Sequence, residues 1–375
     1  MHKKKILWIA HESNKSGANL CLKEFMEIAA AEGFEQLLIL PHKGNMELVA
    51  KELGIKCKIV HYYSWVKGCN ISFIQSLSVK KILRNIVAVI HLSAILIKQR
   101  NTLVFTNTSV IHVGAWASLF TAKKHYWYMH EMGEEDFGFR MPWGKYSYWF
   151  MNFTSKKVLT NSNHLAEKYR KNKPWFQIEV ARYAVIIDPC LTPAEWLKDE
   201  PVRLLLLGQI SETKGHLLAL DAVAILKKYG YAIELSFVGK CEKPDFMQAL
   251  LTKVNNLDIS DNVHILAYTN YPSQVIASHN ILLMCSRCEA FGRVTVEAMK
   301  IGVPVVGSNT CGTKEIIEHQ RTGYLFEQGN ARELAAAVRE VIDNESSRTK
   351  IIENAKQRAE RLTNKTPFLS ILNQE

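Results

Sequence analysis

Glu289 and Glu297 stand either side of the run Phe291-Gly292-Arg293, in a chain that is otherwise basic. An ionised carboxylate is acceptor-only, and its two oxygens can take two hydroxyls at once. Residues 281–285 read as a buried strand, 286–292 as a loop, and 294 onward as a helix with apolar residues at Val294, Ala298 and Ile301. Glu289 then lies in the loop and Glu297 in the first turn of the helix, where the N–H groups near Phe291, Gly292 and Arg293 have no helical partners. Two carboxylates around such donors suit a hydroxyl-rich ligand with an anion near by, such as a sugar on a nucleoside diphosphate. Taken alone, Glu297 reads more readily as a carboxylate that aids its own helix terminus.

A second constellation is Leu204-Leu205-Leu206-Leu207-Gly208-Gln209, followed by Ile210 to Lys214-Gly215. A buried strand ends at Gly208, where a side-chain-free residue lets a ligand approach the backbone. Lys214 adds a full charge to the partial charge of a helix start, which suits a phosphate or diphosphate. Neither a Walker A loop nor a Gly-x-Gly-x-x-Gly fingerprint is present. Ser16-Gly17-Ala18-Asn19 follows the first strand and opens a helix, so its small residues would let backbone donors face a ligand. His130 ends another strand, in Trp127-Tyr128-Met129-His130-Glu131.

The elements that must position these residues alternate along the chain. Strands are expected at 6–10, 36–40, 58–61, 103–106, 126–130, 157–160 and 178–181, then at 203–207, 233–238, 263–266, 281–285, 303–306 and 324–326. Helices are expected between them, at 18–31, 45–53, 77–99, 110–120 and 164–171, then at 214–229, 245–255, 272–279, 294–301, 314–319 and 331–343. Strand–helix alternation repeated in two blocks implies two doubly wound α/β domains, with ligands at the carboxyl ends of the strands. The expected N-terminal domain is 1–187, the proline-bearing stretch 188–200 is the linker, and 201–354 is the C-terminal domain. A helix over about 355–375 is expected to pack back on the first domain.

At 375 residues, 47% hydrophobic and 22% charged, the composition is that of a globular chain. The N-terminal apolar run is too short for a signal peptide, and residues 82–97 include Arg84, Asn85 and His91 and are too polar to span a bilayer. An intracellular protein is therefore expected. The eight cysteines then read as reduced core residues, and the Cys285/Cys288 pair lacks a second pair to make a zinc site. The net charge of +11 is uneven: residues 1–200 hold 27 Lys+Arg against 17 Asp+Glu, and 201–375 hold 20 against 19. No acidic residue lies between Glu52 and Glu131, a stretch with ten basic residues interleaved with Tyr62, Tyr63, Trp65 and Phe73. Such a surface suits an anionic partner, with a membrane face or lipid-linked acceptor preferred. No recognition-helix or RNA-binding signature points to nucleic acid.

These motifs, in this order, resemble the family-four retaining glycosyltransferases of the GT-B fold: two Rossmann-like domains facing a central cleft. Residues 289–299 look like the family's Glu-x7-Glu motif. Gly302-Val303-Pro304-Val305-Val306, then Cys311 to Ile317, then Thr322 to Phe326, follow as expected. The resemblance implies that Glu297 binds the ribose hydroxyls of a nucleotide-sugar. Glu289 contacts the transferred sugar, whose hydroxyls are held by backbone at Phe291, Gly292 and Arg293. Lys214 neutralises the diphosphate beside Gly208, His130 lies near the sugar, and Gly17 lies near the phosphates. Asn161-Ser162 is similar to a family loop on the acceptor side.

Two positions depart from the pattern. Gln209 stands where the family usually has Arg, so the diphosphate must rely more on Lys214, on backbone donors or on Arg293. Cys311-Gly312 replaces a Gly-Gly pair. The resemblance further implies transfer with retention, no resident cofactor, and no metal ion, in line with the lack of an Asp-x-Asp motif. The acceptor would be a glycan or lipid-linked glycan, and the site of action the cytoplasm or the inner membrane face. A nucleotide-sugar epimerase and a non-catalytic subunit that binds a nucleotide-sugar or a polyanion are the alternatives.

Overall fold

The computed structural model describes residues 4–68, 78–99, 101–171, 173–241, 243–364, 368, 370 and 371. The expected roles of Cys69, Phe73 and Arg100, the start of the helix at 77 and most of residues 365–375 fall outside them. The chain divides into one unit of residues 1–184 and 364–375 and another of 185–363.

In the N-terminal unit, strands β1 (Lys5–Ala10), β2 (Glu35–Leu40), β3 (Lys56–Ile59), β5 (Thr102–Asn107), β6 (His125–Met129), β8 (Lys157–Thr160) and β9 (Ile178–Val180) form a seven-stranded sheet in the order β3-β2-β1-β5-β6-β8-β9. Every pair in it is parallel. Strands β4 (Lys67–Gly68) and β7 (Phe139–Arg140) make a separate antiparallel pair. Among the described residues, the helices of eight residues or more are α1 (Gly17–Ala31), α2 (Asn45–Glu52), α3 (Val79–Ile97), α4 (Val113–Phe120), α5 (Lys145–Thr154) and α6 (Asn163–Lys171). β1, β5 and β6 are buried on both faces because helices cover both sides of a parallel sheet. Their aromatic residues form the core. Trp8 packs edge-on to Phe105, and Phe25 stacks on Phe368 at 4.2 Å between ring centroids. Phe368 comes from the returning C-terminal segment.

The C-terminal unit holds β10 (Val202–Leu207), β11 (Ile233–Val238), β12 (Val263–Leu266), β13 (Ile281–Met284), β14 (Val305–Ser308) and β15 (Tyr324–Phe326), in the order β12-β11-β10-β13-β14-β15. These pairs too are parallel. Helices α7 (His216–Lys228), α8 (Pro244–Asn256), α9 (Pro272–Ala277), α10 (Arg293–Ile301), α11 (Cys311–Ile316), α12 (Ala331–Asp343) and α13 (Glu345–Leu362) surround the sheet. The strand order reverses between β10 and β13, the place where such sheets open a ligand crevice.

The division falls at residues 184 and 185, a few residues before the expected linker. The stretch 188–200 instead belongs to the C-terminal unit. Asn280 Nδ2 donates to the Glu195 carbonyl at 3.0 Å, and the Arg348 guanidinium lies 4.0 Å above the Trp196 ring. Residues 355–362 also stay there, with Ala355 and Ala359 buried, so the chain crosses back only after Thr363.

Candidate active site

The loops leaving β10 and β13 are built against each other. Gly208 leaves β10 with φ +143°, and a Cβ on the neighbouring Gly239 would lie 1.8 Å from the Gly208 carbonyl oxygen. After Ser211 the chain makes one 3-10 turn, Glu212–Lys214, and Gly215 caps α7 with φ +77°. A Cβ at Gly215 would meet the Cys285 carbonyl oxygen at 2.2 Å, so only glycine permits this approach. Arg287 N donates to the Thr213 carbonyl at 2.8 Å, and His216 Nδ1–H to the Ser211 carbonyl at 3.1 Å. Burial pushes the His216 pKa down to about 4, so the ring is neutral near pH 7.

This framework brings Lys214 Nζ to 2.5 Å from Glu289 Oε1, and Ser286 Oγ donates to the same oxygen at 2.6 Å. The Lys214 side chain is 32% exposed and that of Glu289 15%, so the pair is open to a ligand on one side. Ser286 was not singled out from the sequence. Its position three residues before Glu289, at a strand exit, was the available signal.

Glu297 is placed differently from expectation. Helix α10 starts at Arg293, so Glu297 is its fifth residue and belongs to the second turn rather than the first. Gly292 precedes the helix at φ +87°, and the Phe291 side chain is buried. Glu297 is 2% exposed, and Arg293 Nε donates to its Oε1 at 2.7 Å, one turn along the helix. The Arg293 Nε is thus engaged by Glu297, while the Gln209 side chain is exposed.

The cysteines also depart from the reduced-core expectation: Cys288 and Cys311 form a disulfide. Cys285, at the strand end, is fully buried, and burial pushes its thiol up to about 12; Cys288, in the loop, reaches across to the next strand–helix connection instead. Cys311 sits at φ +46°, a left-handed conformation natural to the glycine it replaces. Gly312 N donates to the Glu289 carbonyl at 2.9 Å, and a Cβ at Gly312 would lie 2.8 Å from that oxygen. Ser308 Oγ donates to the Ser286 carbonyl at 2.7 Å. The loop carrying Glu289 is therefore anchored to the β14–α11 connection by a covalent bond and two hydrogen bonds.

His130 and Gly17 belong to the N-terminal unit. His130 Nε2–H donates to Asn107 Oδ1 at 2.8 Å, and Asn107 Nδ2 donates to the Ala18 carbonyl at 3.0 Å. One amide thus ties His130 to the start of α1, where Gly17 is the first residue and Ser16 Oγ caps Asn19 N at 3.4 Å. Burial, with a smaller push from His11, lowers the His130 pKa to about 3. The ring is neutral near pH 7 and serves as a hydrogen-bonding group, not as a cation or a proton donor of ordinary acidity. Glu131 fixes the loop beyond it by accepting from Ser109 N, Ser109 Oγ and His130 N; burial raises its pKa. Asn161 Nδ2 lies 3.4 Å from Tyr183 Oη, and Ser162 Oγ accepts from Leu165 N at 3.1 Å. Asn107 was not foreseen, although it too ends a strand.

Residues 192–358 match the family glycosyl transferases group 1. The matched stretch lies within the C-terminal unit. Lys214, Glu289 and Glu297 all lie within the matched group 1 region. Over 137 residues the chain is 30% identical to N-acetyl-alpha-D-glucosaminyl L-malate synthase of Bacillus anthracis, covering 36% of each chain. Over 171 residues it is 29% identical to the amylovoran biosynthesis glycosyltransferase AmsK of Erwinia amylovora, covering 43% of this chain and 41% of that one. The chain thus spans about two fifths of the length of the curated relatives it matches. The crystal structure of Anabaena Alr3699/HepE in complex with UDP and glucose superposes with a TM-score of 0.81 at 20% identity, over 99% of this chain and 100% of that one. The fold is GT-B, with two Rossmann-like parallel sheets.

Proposed function

We propose that the protein is a glycosyltransferase that moves a sugar from a nucleoside-diphosphate sugar to a glycan or lipid-linked acceptor in polysaccharide synthesis, with retention of configuration. The observation that carries this reading is the Lys214–Glu289 pair at the strand-order reversal of a group 1 domain. Lys214 stabilises the charge that develops on the departing diphosphate, with backbone donors near Gly208 and Gly292. Glu289 takes sugar hydroxyls, and Glu297, oriented by Arg293, takes those of the ribose. The positive charge at the leaving group comes from the protein rather than from a metal ion. His130 and Gly17 act beside the sugar and the phosphates. No side chain is assigned as a covalent nucleophile, and the incoming hydroxyl attacks on the face that the diphosphate leaves. The test is a panel of nucleotide-sugars, uridine nucleotides first because HepE holds UDP, screened by thermal shift and then incubated with candidate acceptors. A transferase releases nucleoside diphosphate and adds a sugar mass to the acceptor; an epimerase adds none, and a binding subunit releases nothing.

We further propose that the N-terminal unit docks on an anionic membrane face. Helix α3 buries Ala88, Leu92 and Leu96 but turns Ile86, Val87 and Ile90 outward at 51%, 63% and 64% exposure, flanked by Lys80, Lys81, Arg84 and Lys98. Helix α4 packs beside α3 and exposes Phe120; α5 packs beside α4 and exposes Trp149 and Phe153. An apolar stripe with a basic border suits a helix lying in the headgroup region. Among the described residues no helix is long and apolar enough to cross a membrane. The chain is expected to sediment with phosphatidylglycerol vesicles at low salt and less so at high salt. The double substitution Ile86→Asp with Ile90→Asp should abolish sedimentation and leave the melting temperature unchanged. No sedimentation of the wild type at low salt would overturn the proposal.

A further inference from the structure

The carboxyl ends of β1, β2 and β3 open onto a cavity of about 480 Å³, lined among others by His11, His42, His61, Tyr63, Ser64 and Arg84. Among the described residues no carboxylate lines it. His61 Nδ1–H donates to the Pro41 carbonyl at 2.9 Å and His42 Nδ1–H to the Lys43 carbonyl at 3.0 Å, which leaves each ring's Nε2 to a ligand: an acceptor in the neutral ring, and a donor to an anion in the imidazolium form. The wall is fixed in advance. Asn85 Oδ1 accepts from Tyr63 N at 2.7 Å, and Asn85 Nδ2 donates to the Tyr63 carbonyl at 3.1 Å, which holds the Tyr63 backbone to the helix that carries Arg84. Lys81 Nζ lies 6.0 Å from the Tyr63 ring centroid, a further cation beside this lining residue.

The surroundings register this charge. Glu12 pairs with His11 Nε2 at 3.1 Å. Burial would raise its pKa, but the hydrogen bond and charge of His11, with His42 behind it, outweigh burial and bring it down. His11 also bears electrostatically on the half-buried His130. The cavity is therefore within electrostatic reach of the histidine assigned to the sugar, in the same unit.

We propose that this cavity binds a phosphate or diphosphate group, and that the group is carried by the sugar acceptor. The second half of that statement rests on the transferase reading. A neutral glycan is held best by carboxylates, which take two hydroxyls at once and are missing from this lining, whereas Arg84 offers donors alone. A single carboxylate has two oxygens, fewer than the donors gathered here. A phosphate presents three or more charged oxygens, and the flat guanidinium of Arg84 matches two of them at once.

The test uses the whole chain with ¹³C-labelled histidine and inorganic pyrophosphate as the probe. The imidazole signals of His42 and His61 should move on titration, and move equally in Lys214→Ala, which separates this site from the donor site. Arg84→Ala should weaken the response about tenfold, the loss of one charge-assisted contact. Signals that stay still at millimolar pyrophosphate would overturn the site. The acceptor half is read by kinetics. Arg84→Ala should raise KM about tenfold for a phosphate-bearing acceptor, with little change in kcat, and leave the same glycan without phosphate unaffected. Equal effects on both acceptors would overturn it. A soluble glycosyl phosphate compared with a polyprenyl-diphosphate-linked sugar in neutral vesicles distinguishes the two sources of the group. Imidazole shifts that persist in a protein that transfers no sugar would sink the transferase reading and leave the anion site standing.

Discussion

Replacing Lys214 by alanine is expected to lower turnover about a hundredfold, the effect of removing one preorganised donor from a leaving group. That factor corresponds to about 2.7 kcal/mol of transition-state stabilisation. The C-terminal unit should stay folded, because the side chain is one-third exposed and its ion pair faces solvent on one side. Glu289→Ala should cost at least tenfold, and Ser286 Oγ, which donates to the lost oxygen, is then free to turn to water. Lys214 keeps its charge in that variant, so donor affinity should fall less than turnover. Steady-state kinetics with the identified donor, alongside melting curves, check both. Near-normal rates in the two variants would refute the assignment of the site.

The largest effect on stability is expected at Gly215. An alanine there must hold φ +77°, which costs about 1 kcal/mol for an L-residue. Its Cβ would also overlap the Cys285 carbonyl oxygen at 2.2 Å, and relieving a backbone clash of that kind adds about 1–3 kcal/mol. A total near 3 kcal/mol lowers the melting temperature by about 10 °C in a unit of this size. Gly230→Ala provides the control within the same unit: its φ is +83°, yet nothing lies within 4 Å of the added carbon. It should cost about 1 kcal/mol. Equal melting temperatures for the two variants would show that the β10 and β13 exits are not packed as described. Because Lys214 is the preceding residue, Gly215→Ala should also lose transferase activity at temperatures where the protein remains folded.

The alternating pattern was legible because buried parallel strands are short, apolar and bounded by turn residues. Glu289 and Lys214 could be paired from the sequence because each follows such a strand, and the strand-order reversal makes β10 and β13 neighbours. Boundaries were less legible. Pro304 delays β14 to Val305–Ser308, and Gly292 lets α10 begin at Arg293, which moves Glu297 into the second turn. Helix α5 was missed because Tyr146, Tyr148, Trp149, Phe150 and Phe153 favour strands on propensity alone, and packing against α4 overrides that preference. The disulfide was hidden because Cys-x-x-Cys spacing drew attention to Cys285, whereas the true partner of Cys288 lies 23 residues away. The anion cavity draws residues from β1, β2, β3 and α3 connections scattered between positions 11 and 84, which no local window joins.

The late return of the chain has a practical consequence for dissecting the molecule. Residues 185–363 form one uninterrupted piece, so a gene fragment can encode the C-terminal half whole. The other half has no such fragment. Stopping translation at 184 would strip Phe368 from Phe25, Phe105 and Trp8 and leave a bare aromatic face, inviting aggregation. Fusing residues 364–375 behind 184 through a short spacer would restore the missing ring and give that half its own independent life in solution.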